Sequence, residues 1–118
     1  MKLPTEGELI RIFIGESDRA GHRPLHQVIV EEARKRGMAG ATVLRGTLGF
    51  GAHSRLHTAK ILRLSEDLPM VVGIVDTAEK IEAFLPDLDN LMDEGMVTIE
   101  RVRVITYSPS KTKAQNSH

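Results

Sequence analysis

The chain has no cysteine and no tryptophan, and its aromatic residues are three phenylalanines and one tyrosine among 118 residues. Without cysteine there is no disulfide, no thiolate nucleophile and no zinc ribbon, and the composition fits a reducing compartment, so cytoplasm is the expected location. So few aromatic rings make a poor stacking platform for single-stranded nucleic acid. Excess charge is also lacking, because 16 Lys and Arg stand against 16 Asp and Glu. Binding to nucleic acid relies on neutralising phosphates and normally leaves a basic surplus, so no nucleic-acid partner is expected. No apolar run approaches the 18 or so residues of a bilayer span, and the start MKLPTEGELI lacks the apolar stretch of a signal peptide. Neither membrane insertion nor export by that route is expected.

What is present is a hydrophobic content of 41%, carried mostly by Val, Ile and Leu, in a length suited to one domain. From Glu8 to Glu16, Ile10, Ile12 and Ile14 alternate with Leu9, Arg11 and Phe13, which is strand spacing with apolar residues on both faces. Residues 17–23 are polar and read as a loop. Pro24 suits a helix start, Leu25, Val28, Ile29 and Ala33 recur at helical spacing, and Gly37 supplies the stop. Residues 40–47 are rich in β-branched side chains and read as a second strand. The run LGFGAHSRLHT, residues 48–58, reads as a long loop or a hairpin tip.

Residues 68–76, LPMVVGIVD, form a buried strand on this reading, with Pro69 near its start. Asp76 and Glu79 have the spacing of a capping box. Ile81, Phe84, Leu85, Leu88, Leu91 and Met92 then follow helical spacing, with a kink or break expected from Pro86 and an end at Gly95. Residues 96–107 alternate again, but the apolar phase shifts after Ile99. A bulge or a change of covering partner near Glu100 and Arg101 is therefore expected. The order β-α-β-β-α-β predicts a ferredoxin-like α+β domain over residues 1–107, a four-stranded antiparallel sheet with two helices on one face, followed by a disordered tail, 108–118. Three of the strands are apolar on both faces and no third helix is available. A second subunit is the simplest cover for the other face.

Candidate chemistry is sparse. Arg45, Arg55, Lys60 and Arg63 make the middle of the chain basic, with no acidic residue between Glu32 and Glu66, which marks either a solvated loop or a small-anion site. Gly46, Gly49 and Gly51 follow a strand without the lysine and hydroxyl of a Walker loop. His53 and His57, like His22 and His26, are four apart, the spacing of a two-histidine metal site on a helix, with no nearby carboxylate in the loop to complete it. Ser17, Ser54 and Ser65 have no histidine and acid at a recognisable spacing. Asp87 and Asp89 read as a solvated helix face. A phosphate-cradling hydrolase would also need a water-orienting asparagine, and the chain has only Asn90 and Asn116.

With this element order, GATV leading into GFG before a long loop resembles the PII-like signalling proteins. The chain looks closer still to an uncharacterised "domain of unknown function" family in that group. That closer likeness covers about residues 6–107 through GATVLRGTLGFGAHSRLHTAKILRLSEDLP. The match to true PII proteins rests on Gly40, Thr42, Val43, Gly49, Phe50, Gly51, Leu68 and Pro69. The resemblance implies a homotrimer that binds adenine nucleotides between subunits and is not an enzyme. It signals through an effector loop near residues 50–60 to a regulated membrane protein or enzyme. Carried across, Thr42 and Gly49, Phe50 and Gly51 line the cleft and Gly95 holds a phosphate loop. Met96 stands where PII proteins have a phosphate-binding lysine, and Tyr107 where they have an arginine. AMP or ADP is therefore expected in preference to ATP, with Arg45, Arg101 and Arg103 as replacement charges.

Overall fold

The computed structural model describes residues 6–49, 57–58 and 68–108. In chain order the elements are β1 (Glu6–Gly15), β2 (Arg19–Ala20), β3 (Arg23–Pro24), α1 (Leu25–Lys35), β4 (Thr42–Arg45), β5 (Leu48–Gly49), β6 (His57–Thr58), β7 (Pro69–Asp76), α2 (Ala78–Leu91) and β8 (Met96–Arg103). The main sheet has the order β4-β7-β1-β8, with every neighbouring pair antiparallel. Two helices and this sheet make the ferredoxin-like α+β fold expected from the sequence.

Strand alternation sets the two faces. Ile10, Ile12 and Ile14 pair in register with Ile74, Val72 and Met70, and all six are buried beneath the helices. Onto them pack Leu25, Ile29 and Ala33 from α1 and Ile81, Phe84 and Leu88 from α2, each set spaced by three or four residues so that it forms one stripe. Burying a side chain of this size contributes about 1.5–3 kcal/mol. The end of α1 is tied to the interior of α2 by Arg36, which lies over the Phe84 ring and pairs with Asp87. Asp87 is thus an ion-pair partner rather than a purely solvated group.

Several expectations need correction. The α2 cap is Thr77, whose hydroxyl accepts from the Lys80 amide at 3.2 Å. Asp76 instead is wholly buried and accepts from Thr77 N and Ala39 N, at 2.7 and 2.8 Å. The helix runs through Pro86 without a break and ends at Leu91, ahead of Gly95. Its continuity follows from packing on both sides of the proline, which outweighs one lost backbone hydrogen bond. No bulge interrupts β1 and β8, since pairing is one-to-one from Phe13 with Met96 to Glu6 with Arg103. The apolar phase shift reflects a change of surroundings: Val97 and Ile99 lie on the helix side, whereas Val102 turns to a cleft on the other face.

The last strand stops at Arg103, four residues short of Tyr107, and the second strand is Thr42–Arg45 rather than residues 40–47. The polar stretch after β1 contains a small ribbon, β2 with β3. At the end of α1, Gly37 (φ +72) donates to Arg34 O and Met38 N to Ala33 O, closing the helix as a glycine stop should. Pairing of β5 with β6 gives a hairpin stem from Leu48 to Thr58. Its tip, with the basic stretch through residue 67 and the tail from residue 109, lies outside the described residues.

Candidate functional site

The strands direct half of their side chains away from the helices. Leu9 with Val75, Phe13 with Val71 and Met96, and Val71 with Leu44 form apolar cross-strand rows on this open face. Leu44 and Met96 are 63% and 55% exposed, and Arg11 pairs with Glu100 in the same layer. A sheet face of this composition, with no cover among the described residues, is what the two-faced strands predicted.

At one end of the open face the chain leaves β8 and crosses the sheet. Residues 104–107 pass over Leu9, Gly73 and Val75, and the Tyr107 hydroxyl comes within 3.5 Å of the Ala39 carbonyl, just before β4. Beneath this strap is a cleft of about 830 Å³, lined also by Gly40, Ala41, Thr42, Val102 and Arg103. Its wall at Ala39 is fixed from behind by the buried Asp76, and the turn before it by Lys80 Nζ donating to Gly37 O at 3.0 Å. Thr42 pairs directly with Gly73, so its side chain lies on the cleft face.

The remaining candidates are distributed as follows. Arg101 and Arg103 share one face, as their spacing requires, opposite Glu8 and Glu6 in register. Neither makes an ion pair among the described residues. Arg45 closes β4 and meets Glu16 at 3.5 Å, so its charge is partly engaged. Gly49 lies in the hairpin stem after β4, and Phe50 and Gly51 fall outside the described residues.

Gly95 lies elsewhere, in the turn before β8, with φ +130. A Cβ there would lie 2.7 Å from the Phe13 carbonyl oxygen, which accounts for glycine structurally. It borders a second cleft of about 820 Å³, beside Leu85, Pro86, Met92 and Val97, ringed by Glu82, Asp89, Asp93 and Glu94. Four carboxylates make that cleft unfavourable for phosphate. One subunit therefore brings Thr42 and Arg103 together and leaves Gly95 apart from them.

His57 sits in β6, so helical spacing does not apply to it, and His53 lies outside the described residues. His22 is in the turn of the first ribbon and His26 in the first turn of α1, not on one helical face. Among the described residues no group of three His, Asp or Glu is placed to hold a metal. Asn90 is exposed on α2. No helix among the described residues is long and apolar enough to cross a membrane. Sequence reasoning missed the strap and Gly73. The one available signal for Gly73 was a glycine interrupting an otherwise apolar strand.

The fold is ferredoxin-like and is similar to that of solved PII-like proteins. It superimposes on a candidate PII-like signalling protein from Thermus thermophilus with TM-score 0.62 and 17% identity, covering 86% of this chain and 91% of the other. It also superimposes on CPII, a nitrogen regulatory PII-like protein from Thiomonas intermedia solved with ADP, AMP and bicarbonate. There the TM-score is 0.56, with 16% identity over 84% of this chain and 88% of the other. By its sequence the chain belongs to the DUF190 family, described as Uncharacterized ACR, COG1993, whose pattern it matches over residues 7–104. A UPF0166 protein of Aquifex aeolicus is 37% identical over 98 residues, 83% of this chain and 92% of its own. UPF0166 protein MJ1524 of Methanocaldococcus jannaschii is 28% identical over 95 residues, 80% of this chain and 87% of its own.

Proposed function

We propose that this chain is a nucleotide-responsive regulatory protein rather than an enzyme. Three copies assemble through the open sheet face, and an adenine nucleotide, AMP or ADP in preference to ATP, sits in the clefts between them. The observation that carries this reading is the cleft at the end of the open face, whose lining includes both Thr42 and Arg103 at the end of β8. Support from likeness comes from CPII, a regulatory protein of the same fold seen with ADP and AMP.

Arg101 and Arg103 supply the cationic donors for phosphate, and the neighbouring subunit contributes Arg45 and the main chain of Gly49, Phe50 and Gly51. Gly95 is better explained by its backbone angle and its acidic surroundings than by phosphate contact. With Met96 in place of a lysine, the available charge suits one or two phosphates better than three. Residues 50–60 carry the signal to a regulated membrane protein or enzyme, with Arg55 and Lys60 suited to an acidic surface.

Light scattering and calorimetry test the two halves separately. The expected particle mass is three times 13.1 kDa, and a monomer at micromolar concentration would refute the assembly. AMP and ADP are expected to bind at least about tenfold more tightly than ATP, a difference of roughly 1.4 kcal/mol. If none of the three releases heat or shifts the melting temperature, the nucleotide reading falls.

A further inference from the structure

The two helices pack over the central strands, α1 on β7 and α2 on β1 and β7. The helix side of β8, at the sheet edge, is left largely uncovered. Val97 and Ile99 point to that side, since they pair with the buried Ile12 and Ile10, yet they are 37% and 39% exposed. Beside them the cleft of about 820 Å³ runs between the last turns of α2 and the start of β8, on a floor of Leu85, Pro86, Met92 and Val97. β8 has eight residues and is about 26 Å long, and a helix about 10–12 Å across would lie along this strip beside α2 as a third member of the helix layer.

Charge selects the occupant. Residues 81–100 hold six acidic side chains and no Lys, Arg or His. Asp87 and Glu100 are taken up by Arg36 and Arg11, whereas Glu82, Asp89 and Asp93 on the rim of the groove make no ion pair among the described residues. The backbone adds to this field: α1 ends on Arg34 and Lys35, as the negative end of a helix dipole favours, but α2 has Asp89 in its last turn and no base. Beyond Ile99, Arg101 and Arg103 stand opposite Glu8 and Glu6 in register, so the acid excess is confined to the end near Gly95.

We propose that this groove docks a basic amphipathic helix of a partner protein, with its apolar stripe on Leu85, Met92 and Val97 and its lysines or arginines against Glu82, Asp89 and Asp93. The acids that weaken the end of α2 then serve the partner and not the fold. The groove lies on the helix side of the sheet and does not depend on the nucleotide reading.

The probe is a fluorescein-labelled peptide of about 14 leucines and lysines, with leucine at helical spacing, titrated by anisotropy against the full chain. It is expected to bind, more weakly as salt is raised, and a scrambled peptide of the same composition is not. The double variant Asp89→Lys, Asp93→Lys should weaken binding about tenfold or more, and Val97→Asp similarly, while Glu79→Lys at the other end of α2 should stay within about twofold of the parent. Asp89→Lys alone should raise the melting temperature, because it places a cation at the negative end of the helix.

Absent binding, equal binding of the scrambled peptide, parental affinity in either the double variant or Val97→Asp, or an equal loss in Glu79→Lys overturns the proposal. A lower particle mass for Val97→Asp by light scattering, with no peptide present, assigns the strip to a second copy and overturns it too. So does a lower melting temperature for Asp89→Lys, which would make the acid part of the fold.

Discussion

The two faces of the sheet are built from the same strands, yet they differ sharply. On the helix side Ile10, Ile12 and Val72 are fully buried, whereas one residue along each strand, on the other side, Leu9, Phe13 and Val71 are only half-buried and Leu44 is largely exposed. Side-chain chemistry does not separate the two sets. Cover does. Apolar content on the helix side is spent on holding the subunit together, while on the open side it remains available for contact with another copy and for the wall of a cleft.

The contrast is tested most severely by truncating one residue on the covered side. Phe84→Ala removes a fully buried ring that Arg36 also stacks on, and is expected to destabilise the subunit by about 3–5 kcal/mol in urea denaturation. A loss below about 1 kcal/mol would mean that the helix layer is not the main source of stability. Next is Asp76→Ala, which leaves the Ala39 and Thr77 amides without their acceptor. It is expected to cost about 1–3 kcal/mol, and hydrogen exchange should show both amides opening.

On the open side the expected signature reverses. Leu44→Glu should change the stability of the isolated subunit by no more than about 0.5 kcal/mol while lowering the particle mass seen by light scattering. Equal mass for parent and variant would remove the open face from the assembly.

The smallest effect concerns the exposed surface of the helix layer. Glu31 accepts hydrogen bonds from the Arg23 guanidinium, which, with the nearby positive charge, holds its carboxyl below the ordinary value. A lowered carboxyl stabilises the folded state above its unfolded value and loses that contribution as pH falls through the folded one. Because both groups are solvent-exposed, the energetic effect is slight. An NMR titration should show the Glu31 midpoint rising towards ordinary in Arg23→Gln, and an unchanged midpoint would dismiss the pair.

Much of the architecture was legible in order. Period-two runs marked β1, β7 and most of β8, period-3.6 runs marked both helices, and Gly37 marked a stop, because these signals depend on residues near one another in sequence. The motif around Thr42 and Gly49 pointed to the PII-like fold. What escaped depended on residues far apart. Asp76 looked like a cap until burial gave it Ala39, 37 positions away, as a partner, and Thr77 took the cap. Of the two readings of the phase shift near Glu100, a bulge or a change of covering partner, only the unbroken pairing with β1 selected the second.

The sequence by itself determined which side chains alternate, where α1 starts and stops, and that more apolar surface exists than two helices can cover. Only the tertiary structure decided that residues 104–107 cross the sheet to Ala39, that Gly73 lies open beneath them, and that Gly95 faces carboxylates instead of Thr42. The physical reason is that periodicity fixes the direction of each side chain relative to its own strand or helix. What it meets there is set by strand order and by the path of the chain between elements, which no local spacing encodes.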